Sequence, residues 1–173
     1  MDTDLEYAYR FLPNLRESQH KVTSSKSNEY NCLAWAVGDS KYRWWPNEFG
    51  KWLRDLPEDE RPTTFIQFFD RLGFAECADW NYEAGVTKVA MFARGQITTH
   101  FAVQYSNGGG IWSSKLGEVG HDISHNDLFA VEGGDYGSLE AVLRCDGDIR
   151  NSKMKRKLRR GLIRMKATKI IWG

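Results

Sequence analysis

The sequence contains little cysteine and no long hydrophobic run. Its three cysteines are an odd number at unrelated spacings among 173 residues, which favours neither a disulfide framework nor a zinc site of paired CxxC type. Because no stretch of about 18 apolar residues occurs, no transmembrane helix is predicted. The opening residues, MDTDLEYAYRF, are acidic and have neither the basic start nor the apolar stretch of a secretory signal. These absences predict a cytoplasmic protein or, alternatively, one delivered to another cell as an effector or toxin.

Basic residues are concentrated at one end of the chain. Residues 150–173 contain ten Lys or Arg and no Asp or Glu, although the formal net charge of the whole chain is only +1. Of the 24 basic and 23 acidic residues, 14 and 23 remain in residues 1–149, which therefore carry about −9. Such a tail can attract nucleic acid, an anionic membrane surface or a protein partner, and a solvated helix is the alternative. The side chains predicted to make these contacts are Lys153, Lys155, Arg156, Lys157, Arg159 and Arg160.

One folded domain is expected, because 41% of the residues are hydrophobic and 13% are aromatic. The predicted parts are an irregular lead-in over residues 1–28, the folded domain over 29–149 and a basic amphipathic tail over 150–173. Strand patterns cover residues 87–93, 96–105, 110–116 and 139–145. Helices precede these strands, so the predicted fold class is α+β, with N-terminal helices packed on one face of a small antiparallel sheet and a basic C-terminal helix or tail.

Two helices are predicted ahead of the strands. The helix over residues 31–38 has Cys32 in its first turn, where outward-pointing backbone amides favour an ionised thiol. A second helix is predicted to start near Thr64, which has capping-box spacing to Gln67, and to end at Gly73.

His100 lies inside one of the strand patterns. Alternation along ITTHFAVQY puts Phe101 and Val103 on a core face, and His100 with Gln104 on a smaller, more polar face. When a cysteine at a helix start faces a strand histidine, the two can form an ion pair in which the cysteine is the thiolate nucleophile and the histidine is the imidazolium. The imidazole takes the thiol proton and later returns it to the leaving group. The sequence therefore predicts a Cys32–His100 catalytic pair, and a buried structural histidine is the alternative.

The order of these motifs resembles a known enzyme superfamily. The cysteine of NCLAWAV is followed 68 residues later by the histidine of THFAVQY, then by a glycine turn and the strand GIWSSKL. This arrangement is similar to papain-like cysteine hydrolases, in particular the NlpC-type and CHAP-type branch. A longer pattern over residues 29–145 also resembles a bacterial domain family without a settled function. The resemblance implies that Cys32 is the nucleophile and His100 the base.

The same resemblance implies a third polar residue, on the next strand, that orients the histidine. Counting along the hairpin from His100 reaches Ser113 or Ser114, where that branch usually has histidine, asparagine or glutamine. A serine accepts a hydrogen bond from an imidazole N–H but orients the ring less firmly than a carboxylate does. Asp122 and His125, in GHDISH, are the alternative orienting residues.

Four residues near the predicted pair are candidates for substrate binding. Asn31 precedes the cysteine, and Gln104 shares a strand face with the histidine. Trp44 and Trp45 belong to a tryptophan-rich connector that forms either a substrate wall or part of the core.

No motif implies a cofactor or a metal ion. His121 and His125 are four residues apart, but no convincing third ligand lies nearby in the sequence, which favours a polar loop. Cys77 and Cys145 are predicted to be structural.

The sequence thus predicts a cysteine hydrolase or acyl-transfer enzyme of the peptidase, amidase or deamidase type, acting on a peptide or protein. The alternative is an inactive scaffold or binding domain whose basic tail binds nucleic acid, an anionic membrane or a protein.

Overall fold

The computed structural model of the chain describes residues 1–46 and 51–150, together with the single positions Arg156 and Arg160. Within these residues the helices are α1 (Glu6–Phe11), α2 (Cys32–Ala36) and α3 (Pro62–Arg71), with two 3₁₀ helices at Leu128–Val131 and Gly134–Tyr136. The strands are β1 (His20–Val22), β2 (Ala75–Cys77), β3 (Val86–Arg94), β4 (Ile97–Gln104), β5 (Trp112–Lys115), β6 (Asp122–His125) and β7 (Ser138–Asp146).

The described strands form one seven-stranded sheet in the order β1-β6-β5-β4-β3-β7-β2, and every ladder in it is antiparallel. The predicted fold class, helices packed on a small sheet, is therefore wrong: the fold is β-rich and its described helices are short. The physical reason is that β1, β2 and β6 have only three or four residues each and are held by pairing with neighbours. Strands this short show little periodicity of their own.

The sheet carries one hydrophobic core on each face. On one face, residues of α2 and α3 pack with Val89, Phe101 and Val103. On the other face, Phe92 and Ala102 pack with α1 and with the first 3₁₀ helix. The alternation predicted along β4 is confirmed, because Phe101 and Val103 are on one face and Ala102 is on the other. Helices lie on both faces, however, and not on one face as predicted.

Helix α3 begins earlier than its sequence pattern indicated. Its N-cap is Arg61, which makes no side-chain cap, and Pro62 occupies the first helical position, where a missing N–H costs nothing. The capping box predicted at Thr64 is wrong, since the Thr64 hydroxyl donates to Asp59 Oδ1 at 2.5 Å instead. The helix is held by its apolar face, and each fully buried phenylalanine ring there stabilises the fold by roughly 1.5–3 kcal/mol.

The segment predicted to be an irregular lead-in contains both α1 and β1. Leu12 and Leu15, which follow α1, are fully buried in the second core. At the other end of the domain, Ile149 is buried and Arg150 packs its guanidinium over the Tyr105 ring at 4.2 Å. The folded body therefore includes residues well before position 29.

Most of the predicted basic tail lies outside the described residues. Arg156 and Arg160 are exposed helical positions. The undescribed members of the predicted contact set are Lys153, Lys155, Lys157 and Arg159. None of the helices in the described ranges has the length and hydropathy needed to span a bilayer.

Candidate active site

Strands β4 and β5 separate at one end of their ladder, and this separation creates the candidate site. The ladder ends at the pair Ala102–Ser114, whereas β4 extends back to Ile97. Residues 97–101 of β4, here called the open edge, pair with β3 on their other side. Phe101 and His100 both belong to this open edge.

Cys32 is the first residue of the five-residue helix α2. The Asn31 side chain caps this helix by accepting from the Ala34 backbone N–H at 3.1 Å, and it donates to the Trp44 carbonyl at 2.9 Å. Both ends of the Asn31 amide are thus used to fix the start of the helix. Asn31 positions Cys32, as well as lining the pocket described below.

The Cys32 thiol is neutral at ordinary pH. Burial raises the pKa of this thiol to about 11, and the Phe101 backbone amide and the Lys115 charge oppose the rise only in part. The ionised thiol predicted from the helix start is therefore wrong for the free protein. A five-residue helix has a weak dipole, and desolvation outweighs it.

His100 is fully buried and belongs to a chain of hydrogen bonds that crosses three strands. Its Nε2 lies 3.0 Å from Ser114 Oγ on β5. Ser114 Oγ lies 2.8 Å from Nε2 of His125 on β6, and His125 Nδ1 lies 2.8 Å from the Asp127 carbonyl oxygen. We call these four residues the histidine relay. It unites two positions that the sequence treated as alternatives, since Ser114 contacts His100 directly and His125 contacts Ser114.

The direction of each hydrogen bond in the relay follows from its fixed end. The Asp127 carbonyl can only accept, so His125 Nδ1 carries the proton. Burial lowers the pKa of His125 to about 4, so this ring is neutral near pH 7 and its Nε2 accepts from the Ser114 hydroxyl. Ser114 has then used its one hydrogen, and its oxygen accepts from Nε2–H of His100.

The remaining ring nitrogen of His100, Nδ1, is consequently a bare acceptor. Burial, with a smaller contribution from His125, lowers the pKa of His100 well below its ordinary value, so the ring is neutral. Across the described part of the chain, this buried Nδ1 has no hydrogen-bond partner. A neutral imidazole with an unused lone pair is the form that can take a proton from a thiol.

Cys32 and His100 share two neighbours. The backbone amide that acts on the Cys32 thiol belongs to Phe101, the residue directly after His100. The Tyr136 ring stacks on the His100 ring with centroids 3.9 Å apart and an interplanar angle of 3°, and Tyr136 and Cys32 line the same pocket. Because α2 packs on the Phe101 face, the two residues approach the open edge from opposite faces of the sheet. The prediction that α2 faces the histidine side of β4 is therefore wrong.

An open pocket of about 340 Å³ lies beside Cys32. Its lining comes from the start of α2, the segments around Trp45 and Glu60, the open edge of β4, and the loops after β5 and before β7. The side chains that line it are Asn31, Cys32, Arg43, Trp45, Glu60, Thr98, Thr99, Glu118, Asp135 and Tyr136. Cys32 is 8% exposed, whereas the buried His100 is separated from solvent by the stacked Tyr136 ring. A small ligand in this pocket therefore lies beside Cys32, whereas His100 is absent from the described lining.

The tryptophans predicted to bind substrate have different environments. Trp45 lines the pocket and donates from Nε1 to Glu60 at 2.6 Å. Trp44 is fully buried and donates to Asp39 at 2.8 Å, so its predicted contact with substrate is wrong. Trp44 belongs to the core, as the alternative interpretation had it.

The other predicted site residues are held away from the histidine. Ser113 points to the opposite face of β5, where it accepts from Trp35 Nε1 at 2.9 Å. Asp122 accepts from the Tyr30 hydroxyl at 2.6 Å, and Gln104 donates to the Gly110 carbonyl at 3.2 Å. Ser113 and Asp122 are therefore wrong as orienting residues. Gln104 is outside the described lining of the pocket, and its role in substrate binding stays a prediction.

Lys115 is a buried cation near Cys32 that the sequence analysis missed. Its Nζ donates to the carbonyls of Ser27 and Gly117, at 2.8 and 3.3 Å. Burial lowers the pKa of Lys115 to about 8, and its charge lowers the pKa of the Cys32 thiol. A lysine in the middle of a strand pattern resembles a solvent-facing residue, and only the tertiary packing around it shows otherwise.

No metal site is formed by the described residues, among which no group of three or more His, Cys, Asp or Glu side chains could hold an ion. His121, for example, is bonded to the Tyr7 hydroxyl at 2.9 Å and to the Asp2 carbonyl at 2.7 Å.

Comparison with known families places the chain in one of them. A family model described as a domain of unknown function, DUF7689, matches residues 21–144, so the chain belongs to this family. The match includes the cysteine, the open edge and the histidine relay. No curated protein and no solved structure matches the chain.

Proposed function

We propose that this domain is a cysteine hydrolase or acyl-transfer enzyme in which Cys32 is the nucleophile and His100 is the base. The substrate is a peptide, an amide or a related acyl compound that enters the pocket beside Cys32. Ser114 and His125 act as positioning residues, because they reach the reacting atoms only through His100.

The observation that carries the proposal is the hydrogen-bond geometry of the histidine relay, from which the protonation of His100 follows. The histidine relay leaves His100 Nδ1 unprotonated, buried and without a partner in the described structure. The next residue along the open edge is Phe101, whose backbone amide acts on the Cys32 thiol. An unpaired buried acceptor costs about 1–3 kcal/mol, which a functional role would account for. Ser114 also occupies the place on the next strand that the resemblance to cysteine hydrolases assigns to the orienting residue.

The neutral state of both groups favours a concerted mechanism over a preformed ion pair. Cys32 and His100 Nδ1 share no hydrogen bond in the free protein, so substrate binding must first bring the thiol within reach of Nδ1 at the open edge. Cys32 Sγ then attacks the acyl carbon while its proton passes to His100 Nδ1, and a thioester forms as the bond to the leaving group breaks. The leaving group takes the proton from the imidazolium. Water, or another acceptor, then attacks the thioester with the same imidazole as base, which restores the thiol.

Acylation by a simple activated ester tests the proposal. The protein is mixed with p-nitrophenyl acetate, the release of p-nitrophenolate is followed in a stopped-flow instrument, and the acetyl group is located by peptide mass spectrometry. We expect a burst of about one equivalent with the acetyl group on Cys32. His100→Gln should slow the burst by about 100-fold or more, the usual contribution of a general base. Cys77→Ser is the matched control, since it removes another cysteine and should leave the burst unchanged.

Two results would contradict the enzyme proposal. One is acetylation of Cys77 in preference to Cys32, and the other is an equal burst rate in the wild type and in His100→Gln. Either result would favour the alternative, a non-catalytic domain that acts through its basic tail. The full burial of His100 beneath Tyr136 is the observation that favours that alternative.

A further inference from the structure

We propose that the pocket beside Cys32 selects acyl compounds that carry a positive charge, such as an ammonium or guanidinium group near the reacting carbon. This inference rests on the proposed function and names the substrate class of the same site.

Carboxylates dominate the charge around the pocket. Glu60, Glu118 and Asp135 line it, and Arg43 is the one cationic side chain in its described lining. Arg43 also contacts Glu118, with Nη1 3.4 Å from Oε2. Because the Glu118 side chain is 71% exposed, this ion pair is weak and leaves the field of the other carboxylates in place.

The carboxylates come from separate segments of the chain. Glu60 is half-buried and held in position by the Trp45 indole N–H at 2.6 Å. Asp135 is exposed in the second 3₁₀ helix, next to Tyr136. A cation in the pocket therefore meets carboxylates from more than one segment, and one of them, Glu60, is partly shielded from water.

A buried hydroxyl provides an independent sign that the pocket is built for a ligand. Thr98 lines the pocket and is only 2% exposed, and its Oγ1 has no hydrogen-bond partner in the described ranges. Its backbone N–H is already bonded to the Glu60 carbonyl at 2.8 Å, which holds the residue in place. An ammonium or guanidinium group that reaches this oxygen would satisfy it, while Glu60 balances the charge.

The nearest buried cation does not cancel this preference. Lys115 is fully buried and is not part of the described lining of the pocket, although one of the two carbonyls that hold its ammonium group belongs to Gly117, which lines it. Its charge acts on the Cys32 thiol, where it favours the thiolate that forms during attack. The protein thus combines a buried positive charge that acts on the sulfur with carboxylates in the lining of the pocket.

Two thiol reagents of similar size and opposite charge measure this selectivity. Trimethylammonioethyl methanethiosulfonate is the cationic probe, and sulfonatoethyl methanethiosulfonate is the anionic one. The labelling rate of Cys32 is followed by peptide mass spectrometry and divided by the rate of the same reagent with the urea-unfolded protein. We expect a normalised cation-to-anion ratio of at least about 5 in about 20 mM salt, falling towards 1 in about 1 M salt, where charges are screened within a few ångström.

Substitutions then locate the source of the preference. Asp135→Asn and Glu60→Gln should each lower the ratio by about twofold or more. Glu140→Gln is the matched control, because it neutralises an exposed carboxylate of β7 that is absent from the described lining of the pocket. A ratio at or below 1, a ratio unchanged in both pocket variants, or no labelling of Cys32 by either reagent would overturn the inference.

The labelling experiment requires no turnover, so it fails separately from the proposed function. If the protein shows the charge preference but no acyl burst, the cation-selective pocket is supported and the enzyme proposal is contradicted. If the protein shows the burst without the charge preference, the enzyme proposal is supported and the proposed substrate class is contradicted.

Discussion

Ser114 Oγ lies 2.8 Å from Nε2 of His125, and this contact determines which nitrogen of His100 is free. Because the Ser114 hydrogen is given to His125, its oxygen must accept from His100 Nε2–H at 3.0 Å. Ser114 and His125 together thereby orient the His100 ring, a role that a single residue has in the cysteine hydrolases that the sequence resembles. The catalytic proposal depends on this arrangement, and several measurements test it.

Ser114→Ala should be clearly destabilising. The change leaves the Nε2 atoms of His100 and His125 buried without their partner, which costs about 1–3 kcal/mol of unfolding free energy. Ser113→Ala is the matched control on the opposite face of the same strand, where the half-buried Trp35 indole N–H can turn to water. Its cost should be below about 1 kcal/mol. Urea denaturation of both variants measures the difference, and a larger loss in Ser113→Ala would argue against the relay.

Stability should fall in mild acid, and His125 contributes to this fall alongside His100, whose pKa is also lowered by burial. The folded pKa of His125, about 4, lies below the ordinary value of 6.5, so the unfolded chain binds a proton first as pH falls. The stabilisation is complete above about pH 6.5 and is lost as the pH falls towards about 4, which amounts to about 2–3 kcal/mol by about pH 4.5. Urea denaturation at about pH 7 and at about pH 4.5 measures the loss of unfolding free energy.

His125→Asn provides the comparison for that pH experiment. The asparagine cannot titrate in this range, so the variant should lose about 2 kcal/mol less than the wild type between about pH 7 and about pH 4.5, although it is less stable at the higher pH. Equal losses in the two proteins would show that His125 does not control the acid response.

The Tyr136 ring should keep His100 neutral. Tyr136→Leu removes the stacked ring and admits water, so the pKa of His100 should rise towards its ordinary value. Tyr136→Phe loses the same hydroxyl, which accepts from the Gly117 N–H at 3.0 Å, but keeps the ring. Its His100 pKa should remain low. NMR titration of the imidazole distinguishes the two variants, and the same titration curve in both would refute the shielding role.

The backbone after Tyr136 should tolerate no side chain. A Cβ at Gly137 would collide with the Ala93 backbone oxygen, and the residue also has a left-handed φ of +72°. Gly95 is the matched control, with a φ of +60° and open space around its Cβ position in the described structure. Gly95→Ala should cost about 1–2 kcal/mol through backbone strain, and Gly137→Ala should cost about 1–3 kcal/mol more. Thermal unfolding measures both, and equal losses would contradict the close packing beneath Tyr136.

The longer strands could be predicted from the sequence, whereas the size of the sheet could not. β3 and β4 have eight or nine residues with strong apolar patterns, and the tight turn at Gly95 joins them. β6 spans only the four polar-looking residues DISH, and its place is fixed by pairing with β1 and β5. Because β6 bridges two other strands, missing it reduced a seven-stranded sheet to a small one.

For the candidate site too, the residues could be predicted from the sequence but their arrangement could not. Cys32, His100, Ser114 and His125 are all identifiable from residue type and spacing. Their connection is not, because it depends on the register that pairs Trp112 with His125 across β5 and β6. The protonation of Cys32 was predicted wrongly for a related reason: a local argument from the helix start omits the burial that tertiary packing imposes.

The nitrogen-15 spectrum of the His100 ring tests the central claim most directly. Histidine-labelled protein is measured near neutral pH, and the His100 signals are assigned by their loss in His100→Gln. We predict a neutral ring with the proton on Nε2 and a bare Nδ1, retained in Ser113→Ala and disturbed in Ser114→Ala. A ring that carries its proton on Nδ1, or on both nitrogens, would have no acceptor to offer Cys32 and would contradict the account.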